Sequence, residues 1–310
     1  MWCREEIQTG RGMVKKLKSI YKLLRIYQWT KSGFIFLPFI FSSILFEMAS
    51  DPFGSVSIHA ALKLIASFFG FSFLASAVYV MNDLKDIALD RLDPKKKHRP
   101  FASGALNPVT GYILIALLVC SAALLSLYLP LTVSYIFIIY FLQNIFYTYI
   151  GKRIILVDVT LIAAGYVLRV LVGAYALSID ASPWLLSSTF FISLFLGFFK
   201  RFYEVRVSPP EMLFGGAYTA DTLRHFTNIT ASLSIITYSI YTIQGTHSSA
   251  HLYWTIPLVV LGIFRYYVLL QSPEELEEGN PSDVLLADKF LILTILFWMA
   301  LCAGLILYYH

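Results

Sequence analysis

Residues 79–104 read YVMNDLKDIALDRLDPKKKHRPFASG, a stretch that begins inside an apolar helix and ends in a basic, proline-broken loop. Asn82, Asp83, Asp86 and Asp90 are its core. On a helix, Asp83, Asp86 and Asp90 stand at i, i+3 and i+7, and Asn82 pairs at i, i+4 with Asp86, so four oxygen-bearing side chains share one face. Three like charges repel there, and charge at the bilayer edge is expensive, so the pattern asks for a divalent cation. Oxygen-only donors on a helix suit Mg²⁺ carried by substrate phosphates better than zinc. Lys95, Lys96, Lys97 and Arg99 follow at once. Alone they would read as a stop-transfer run, but beside an acidic metal face they would hold the phosphates that the metal does not reach. A plain solvated helix end, stopped by Asp93 and Pro94, is the bland alternative; carboxylates at a membrane edge are functional by default.

The chain around this segment is apolar throughout. Its 310 residues are 58% hydrophobic and 14% charged, with a mean hydropathy of +0.70. That excludes an ordinary soluble domain, and 16% aromatic content argues against disorder. Cys3, Cys120 and Cys302 are too far apart for a zinc site or a disulfide framework. Windows long enough to cross the hydrocarbon lie near 33–49, 61–81, 109–128, 131–150, 155–177, 183–199, 227–245, 253–271 and 290–309. The fold expected is therefore an all-α integral membrane protein of nine transmembrane helices. Residues 1–31 form a basic amphipathic segment with no cleaved signal, and residues 32–310 a single transmembrane catalytic domain.

Charge sets the orientation. Of 24 Lys and Arg, 22 fall on one side, leaving only Lys63 toward the other and Arg169 inside span five. The positive-inside rule then gives a cytoplasmic N-terminus and an external His310, in a cytoplasmic (inner) membrane with the chemistry on the cytoplasmic face. The lipid bilayer is the obligatory partner; a homo-oligomer is compatible with the sequence, and no nucleic-acid partner is expected.

Further charges cluster at the same edge. Lys152 and Asp158 flank the start of span five, and Arg169 follows Asp158 by eleven residues, three helical turns, so they share a face. An arginine so deep needs a carboxylate, a phosphate or water, and an ion pair with Asp158 or Glu204 competes with substrate binding. Lys200, Arg201 and Glu204 repeat the pattern at the end of span six, where a topology-setting cluster competes equally. Gln28 and Lys31 open span one, with Lys31 placed to anchor a phosphate, whereas Arg265 would snorkel to the interface. No histidine, GxSxG or glycine-rich nucleotide loop suggests other chemistry.

The NDLKDIALD motif in such a chain resembles the UbiA superfamily of intramembrane prenyltransferases, whose first motif is NDxxDxxxD. Within it, LRIYQWTKSGFIFLP (24–38), HRPFASG (98–104), YTYIGK (147–152), LVD (156–158), GYVLR (165–169) and KRFYE (200–204) are similar to the decaprenyl-phosphate phosphoribosyltransferase branch. So are YTADTL (218–223), SIYT (239–242), FRYYVLL (264–270) and SDVLLADK (282–289), which extends the resemblance over nearly the whole chain. Two departures stand out. The second paired-aspartate motif DxxxD of the aromatic prenyltransferases is reduced to Asp158, followed four residues on by Ile162, and Tyr203 replaces the alanine common in this branch.

The resemblance implies Mg²⁺-dependent transfer of a phosphoribosyl group from 5-phosphoribosyl 1-diphosphate to a polyprenyl phosphate. Asp83, Asp86, Asp90 and Asp158 would be catalytic, with Asn82 helping to hold the metal. Gln28, Lys31, Asn82, Lys95, Lys97, Arg99, Tyr147, Lys152, Arg169, Lys200, Arg201 and Glu204 would bind substrate. A phosphate nucleophile with a second pKa near 6 is ionised at neutral pH and needs no general base. The rival within the fold moves a prenyl group from its diphosphate to an aromatic or glycerol-phosphate acceptor. A transporter of an anionic metabolite is the reading from another class, and it would place such charges at the midplane rather than at one edge.

Overall fold

The computed structural model describes residues 16–94, 96–207, 218–244, 251–271 and 288–309. Lys95, His310, the first fifteen residues of the basic segment and most of the SDVLLADK stretch lie outside them. The described residues are helical, without strands. They run as α1 (16–24), a 3₁₀ helix Ile26–Phe36, α2 (Leu37–Ile40), α3 (Ser43–Ser50), α4 (Ser55–Lys85) and α5 (Ile87–Leu92). Then follow α6 (Pro108–Ser126), α7 (Leu131–Tyr149), α8 (Val157–Ala176), α9 (Pro183–Val207), α10 (Ala220–Gln244), α11 (Ile256–Gln271) and α12 (Lys289–Tyr309).

Seven helices among the described residues are long and apolar enough to span a membrane, and an eighth span results if the bent pair 16–40 and Ser43–Ser50 is counted as one. The first expected span, 33–49, is therefore not a straight rod. It turns by 86°. Ser42 adopts extended backbone (φ −132°, ψ 160°) and its hydroxyl donates to the Phe39 carbonyl at 2.8 Å, which ends α2 and starts α3 on a new axis. The expected span 227–245 corresponds to α10, 25 residues long but rich in Ser and Thr. Thr227, Thr230, Ser234 and Thr237 donate to the carbonyls four residues earlier at 2.7 to 2.8 Å. That satisfies hydroxyls along a buried face and explains how a helix of modest hydrophobicity packs inside apolar neighbours.

The chain forms two compact units, Met1–Ser32 with Ala66–Thr148 and Gly33–Ile65 with Tyr149–His310. In the first, Phe71 of α4 packs against Phe137 and Tyr140 of α7, and Gly70 makes room because a Cβ there would meet the Phe137 ring at 2.8 Å. Trp29 donates to Ser76 Oγ at 3.0 Å, and Ser76 in turn donates to the Leu24 carbonyl at 2.8 Å, which fastens the 3₁₀ segment to α4. In the second unit, Phe195, Phe199 and Tyr203 of α9 form a core with Tyr266 and Leu269 of α11 and Leu291 of α12. Gly173 of α8 allows the Ile35 carbonyl to press against its helix, since a Cβ would stand 1.9 Å from that oxygen.

Candidate active site

The acidic motif lies where α4 ends. The helix expected to carry all four residues breaks at Asp86 (φ −97°, ψ 8°), the junction between α4 and α5. The hydrogen-bond ladder survives the break, with Asp86 N donating to Asn82 O at 3.0 Å and Asp90 N to Asp86 O at 2.8 Å. Register is thereby kept. Asp83 and Asp90 are both buried, while Asp86 is half-buried.

Two arginines neutralise the buried pair. Arg99 Nη1 donates to Asp90 Oδ2 at 2.9 Å and lies 3.2 Å from Asp83 Oδ1, and Arg25 Nη2 donates to the same Asp83 oxygen at 2.6 Å. The repulsion expected among the aspartates is thus relieved by guanidinium groups within the protein itself. Arg99 is held in place because Phe101, two residues on, inserts with Leu106 into a cluster with Leu23 and Val80. Gly111 admits the Phe101 ring, whose Cζ would sit 2.7 Å from a Cβ there. Arg25 also stacks over the Tyr79 ring at 5.0 Å. Asn82 Oδ1 accepts from the buried Thr148 hydroxyl at 2.5 Å. Tyr147 beside it is half-buried, Gln28 is buried, Lys31 is half-buried, and Lys97 is exposed.

These donors fit Mg²⁺. Among the described residues no three His, Cys, Asp or Glu side chains converge into a ready-made cage. Mg²⁺ ordinarily uses one or two carboxylates and completes its shell with water and substrate phosphates. Two buried carboxylates already sharing one cationic nitrogen, with a third at their junction, have the chemistry and spacing for that mode of binding.

A second constellation is built on α8 and α9. Asp158, in the first turn of α8, is fully buried and both its oxygens are engaged: Arg201 Nε donates to Oδ2 at 2.8 Å and the Tyr218 hydroxyl donates to Oδ1 at 3.0 Å. Arg201 Nη1 donates to Glu204 Oε2 at 2.5 Å, and Lys200 Nζ lies 3.8 Å from Glu204 Oε1. Lys200, Arg201, Glu204 and Asp158 therefore do come together. Burial, opposed by the Leu156 N–H donated to its oxygen and reinforced by the adjacent Asp158, pushes the Tyr218 hydroxyl up to about 12, so it remains a proton donor across the neutral range. Tyr203 points into the α9–α11–α12 core, so its departure from the family pattern leaves Glu204 on Arg201 and Lys200.

Arg169 is buried in α8. Its Nη1 donates to the Gly165 carbonyl at 2.7 Å and its guanidinium covers the Tyr166 ring at 5.2 Å. Eleven residues along one helix separate it from Asp158 by about 16 Å, out of reach of a direct ion pair. The Asp158 charge belongs to Arg201. Lys152 is half-buried in the 3₁₀ turn Gly151–Arg153. Arg265, expected to snorkel, instead pairs with Asp288 at 2.6 Å, and Asp288 also caps α12 by accepting from Leu291 N at 2.8 Å. Sequence reasoning missed Arg25, Thr148 and Tyr218. All three sit within quoted motifs, but their partners lie 58, 66 and 60 residues away, separations that local spacing does not encode.

Among the described residues, seven helices apolar and long enough to cross a membrane, with carboxylates buried against arginines, mark a multi-pass membrane protein, and the family it matches makes it a transferase. The chain belongs to the UbiA prenyltransferase family, whose model matches residues 36–280. It is 26% identical to the decaprenyl-phosphate phosphoribosyltransferase of Mycolicibacterium smegmatis over 95% of both chains. It is 28% identical to the enzyme of the same name from Mycobacterium tuberculosis, over 77% of this chain and 80% of that one. Among solved structures, a UbiA homolog from Archaeoglobus fulgidus bound to GPP and Mg²⁺ superposes with a TM-score of 0.69 at 16% identity, covering 93% of this chain and 99% of that one.

Proposed function

We propose that the protein transfers the 5-phosphoribosyl group from 5-phosphoribosyl 1-diphosphate to a polyprenyl phosphate. The bond between the anomeric carbon and the diphosphate breaks, a bond from that carbon to a lipid phosphate oxygen forms, and diphosphate leaves with its electron pair. The observation that carries this reading is the concentration of guanidinium groups, Arg25, Arg99 and Arg201, on buried carboxylates, with Lys200 beside the half-buried Glu204, in a chain similar along its length to decaprenyl-phosphate phosphoribosyltransferases. Two phosphorylated substrates need more cationic contacts than one.

Asp83, Asp86 and Asp90, with Asn82, would hold Mg²⁺, which when bound neutralises charge gathering on the departing diphosphate. Arg25 and Arg99 orient the diphosphate, with Lys97 at its approach; Arg201, Lys200, Lys152 and Arg169 take the other phosphates. Gln28, Lys31, Tyr147 and Glu204 line or position these contacts. A lipid phosphate ionised at neutral pH attacks without a protein base. Nine spans, an N-terminus and site on the cytoplasmic side, and residence in the inner membrane complete the proposal, supported by the distribution of Lys and Arg.

The second reading, prenyl transfer from a prenyl diphosphate, is favoured by the likeness to the GPP-bound fold neighbour. Purified protein incubated with Mg²⁺ and labelled 5-phosphoribosyl 1-diphosphate plus polyprenyl phosphate, or with labelled prenyl diphosphate plus an aromatic acid, separates the two. A labelled lipid product from the first pair only is expected; one from the second pair only would reject the reading.

A further inference from the structure

The Asp158 carboxylate is enclosed, and what encloses it has a second task. The Tyr218 hydroxyl donates to Asp158 Oδ1 at 3.0 Å and accepts from Leu156 N at 2.6 Å. Leu156 precedes α8 with φ 67° and ψ −38°, a positive-φ conformation strained for a branched side chain. One hydroxyl thus grips both the strained residue that launches α8 and the carboxylate in the first turn of that helix. On the other side of that carboxylate, Arg201 Nε is held at 2.8 Å. The Tyr218 ring packs with Val159, Phe198 and Leu223 and is only 2% exposed, so the hydroxyl has little freedom to point elsewhere.

We infer that Tyr218 is a positioning residue for phosphate binding, fixing Asp158 so that Asp158 in turn aims the Arg201 guanidinium at a substrate phosphate. The inference rests on the reading of Arg201 as a phosphate ligand. Asp158 itself then acts through Arg201 and does not touch substrate. Arg201 donates to Asp158 from Nε and to Glu204 from Nη1, so any phosphate contact depends on the direction in which these carboxylates hold its plane, and an Asp158 fixed at one oxygen only would let that plane swing and weaken the contact.

The test is equilibrium binding of inorganic phosphate to the protein in nanodiscs, with melting temperature measured on the same preparation. Tyr218→Phe keeps the ring and removes the hydroxyl; it should raise the phosphate Kd about tenfold, the effect of losing one well-placed charge-assisted contact. Asp158→Asn should weaken binding similarly, and the double variant should be no weaker than the worse single, because both act on one guanidinium. If Tyr218→Phe folds poorly, Leu156→Gly relieves the turn, since glycine adopts positive φ freely. Tyr218→Phe with Leu156→Gly should regain stability and keep the weak Kd. A wild-type Kd in Tyr218→Phe, additive effects with Asp158→Asn, recovery of binding along with stability in the Leu156→Gly pair, or a wild type that binds no phosphate would each overturn the inference. Wild-type turnover with the two substrate pairs is read separately: prenyl transfer together with Tyr218-dependent phosphate binding rejects the proposed reaction and leaves this inference standing.

Discussion

Arg99 reaches back nine residues to Asp90, donating from Nη1 to Oδ2 at 2.9 Å. This contact closes the basic loop onto the acidic motif, and the same nitrogen lies 3.2 Å from Asp83. The cation and the carboxylates of the motif are therefore one structural object rather than two neighbouring charge runs.

Asp83→Asn, Asp86→Asn and Asp90→Asn should each abolish turnover, and EDTA should do the same to the wild type. Stability separates them. Asp86, half-buried at the helix junction, should leave the melting temperature close to wild type, whereas Asp83 and Asp90 leave guanidinium groups without their carboxylate and should cost about 1 to 3 kcal/mol. Full activity in EDTA, or in two of the three variants, would remove the metal assignment.

Arg169→Lys is expected to raise the apparent KM for a phosphorylated substrate by roughly one to two decades, since lysine does not reproduce a planar two-pronged contact. The distance to Asp158 along α8 leaves no ion pair there to lose. Poor yield and low melting temperature with a wild-type KM would instead make Arg169 a packing residue on Tyr166.

Gly173→Ala should be poorly tolerated although the change is one methyl group. The added carbon would meet the Ile35 carbonyl oxygen at 1.9 Å, and backbone cannot step aside as a flexible side chain can. A loss of about 1 to 3 kcal/mol or more is expected for such overpacking. Gly262→Ala, inside α11 with nothing within 4 Å of the added carbon, is the matched control and should be neutral or stabilising by about 0.5 to 1 kcal/mol, since Ala is the better helix former. Equal melting temperatures for the two variants would contradict the close approach.

Asp288 provides a pH test. Hydrogen bonding to Arg265 holds its carboxyl below the ordinary carboxylate value, aided by the Leu291 N–H and opposed by burial. A lowered folded-state pKa means stability that is present above the unfolded value near 3.8 and disappears as pH falls through the folded one. The wild type should therefore be more stable than Asp288→Asn at pH 7, with the gap closing below about pH 4. A gap that persists unchanged in acid would show that the cap contributes by shape rather than charge.

Orientation is open to direct labelling. Single cysteines at Ser103 and Ser182, in a background with Cys3, Cys120 and Cys302 replaced, should react with an impermeant reagent from opposite sides of the membrane. Reaction of both from one side would reject the charge-based topology.

Hydropathy and residue spacing alone determined that this chain crosses a bilayer and that Asn82, Asp83, Asp86 and Asp90 form one motif. Those properties are local, written in windows shorter than a single helix. The tertiary structure decided which cation meets which carboxylate: Arg25 with Asp83, Arg201 and Tyr218 with Asp158, Arg265 with Asp288, across separations of 58, 43, 60 and 23 residues. It also decided that the first apolar run bends at Ser42 and that the acidic helix breaks at Asp86 while keeping its ladder. The physical reason is the same in each case. Transfer of a side chain out of water is fixed by its own chemistry, whereas the partner that satisfies a buried charge is fixed by chain packing at long range, which no periodicity in the sequence records.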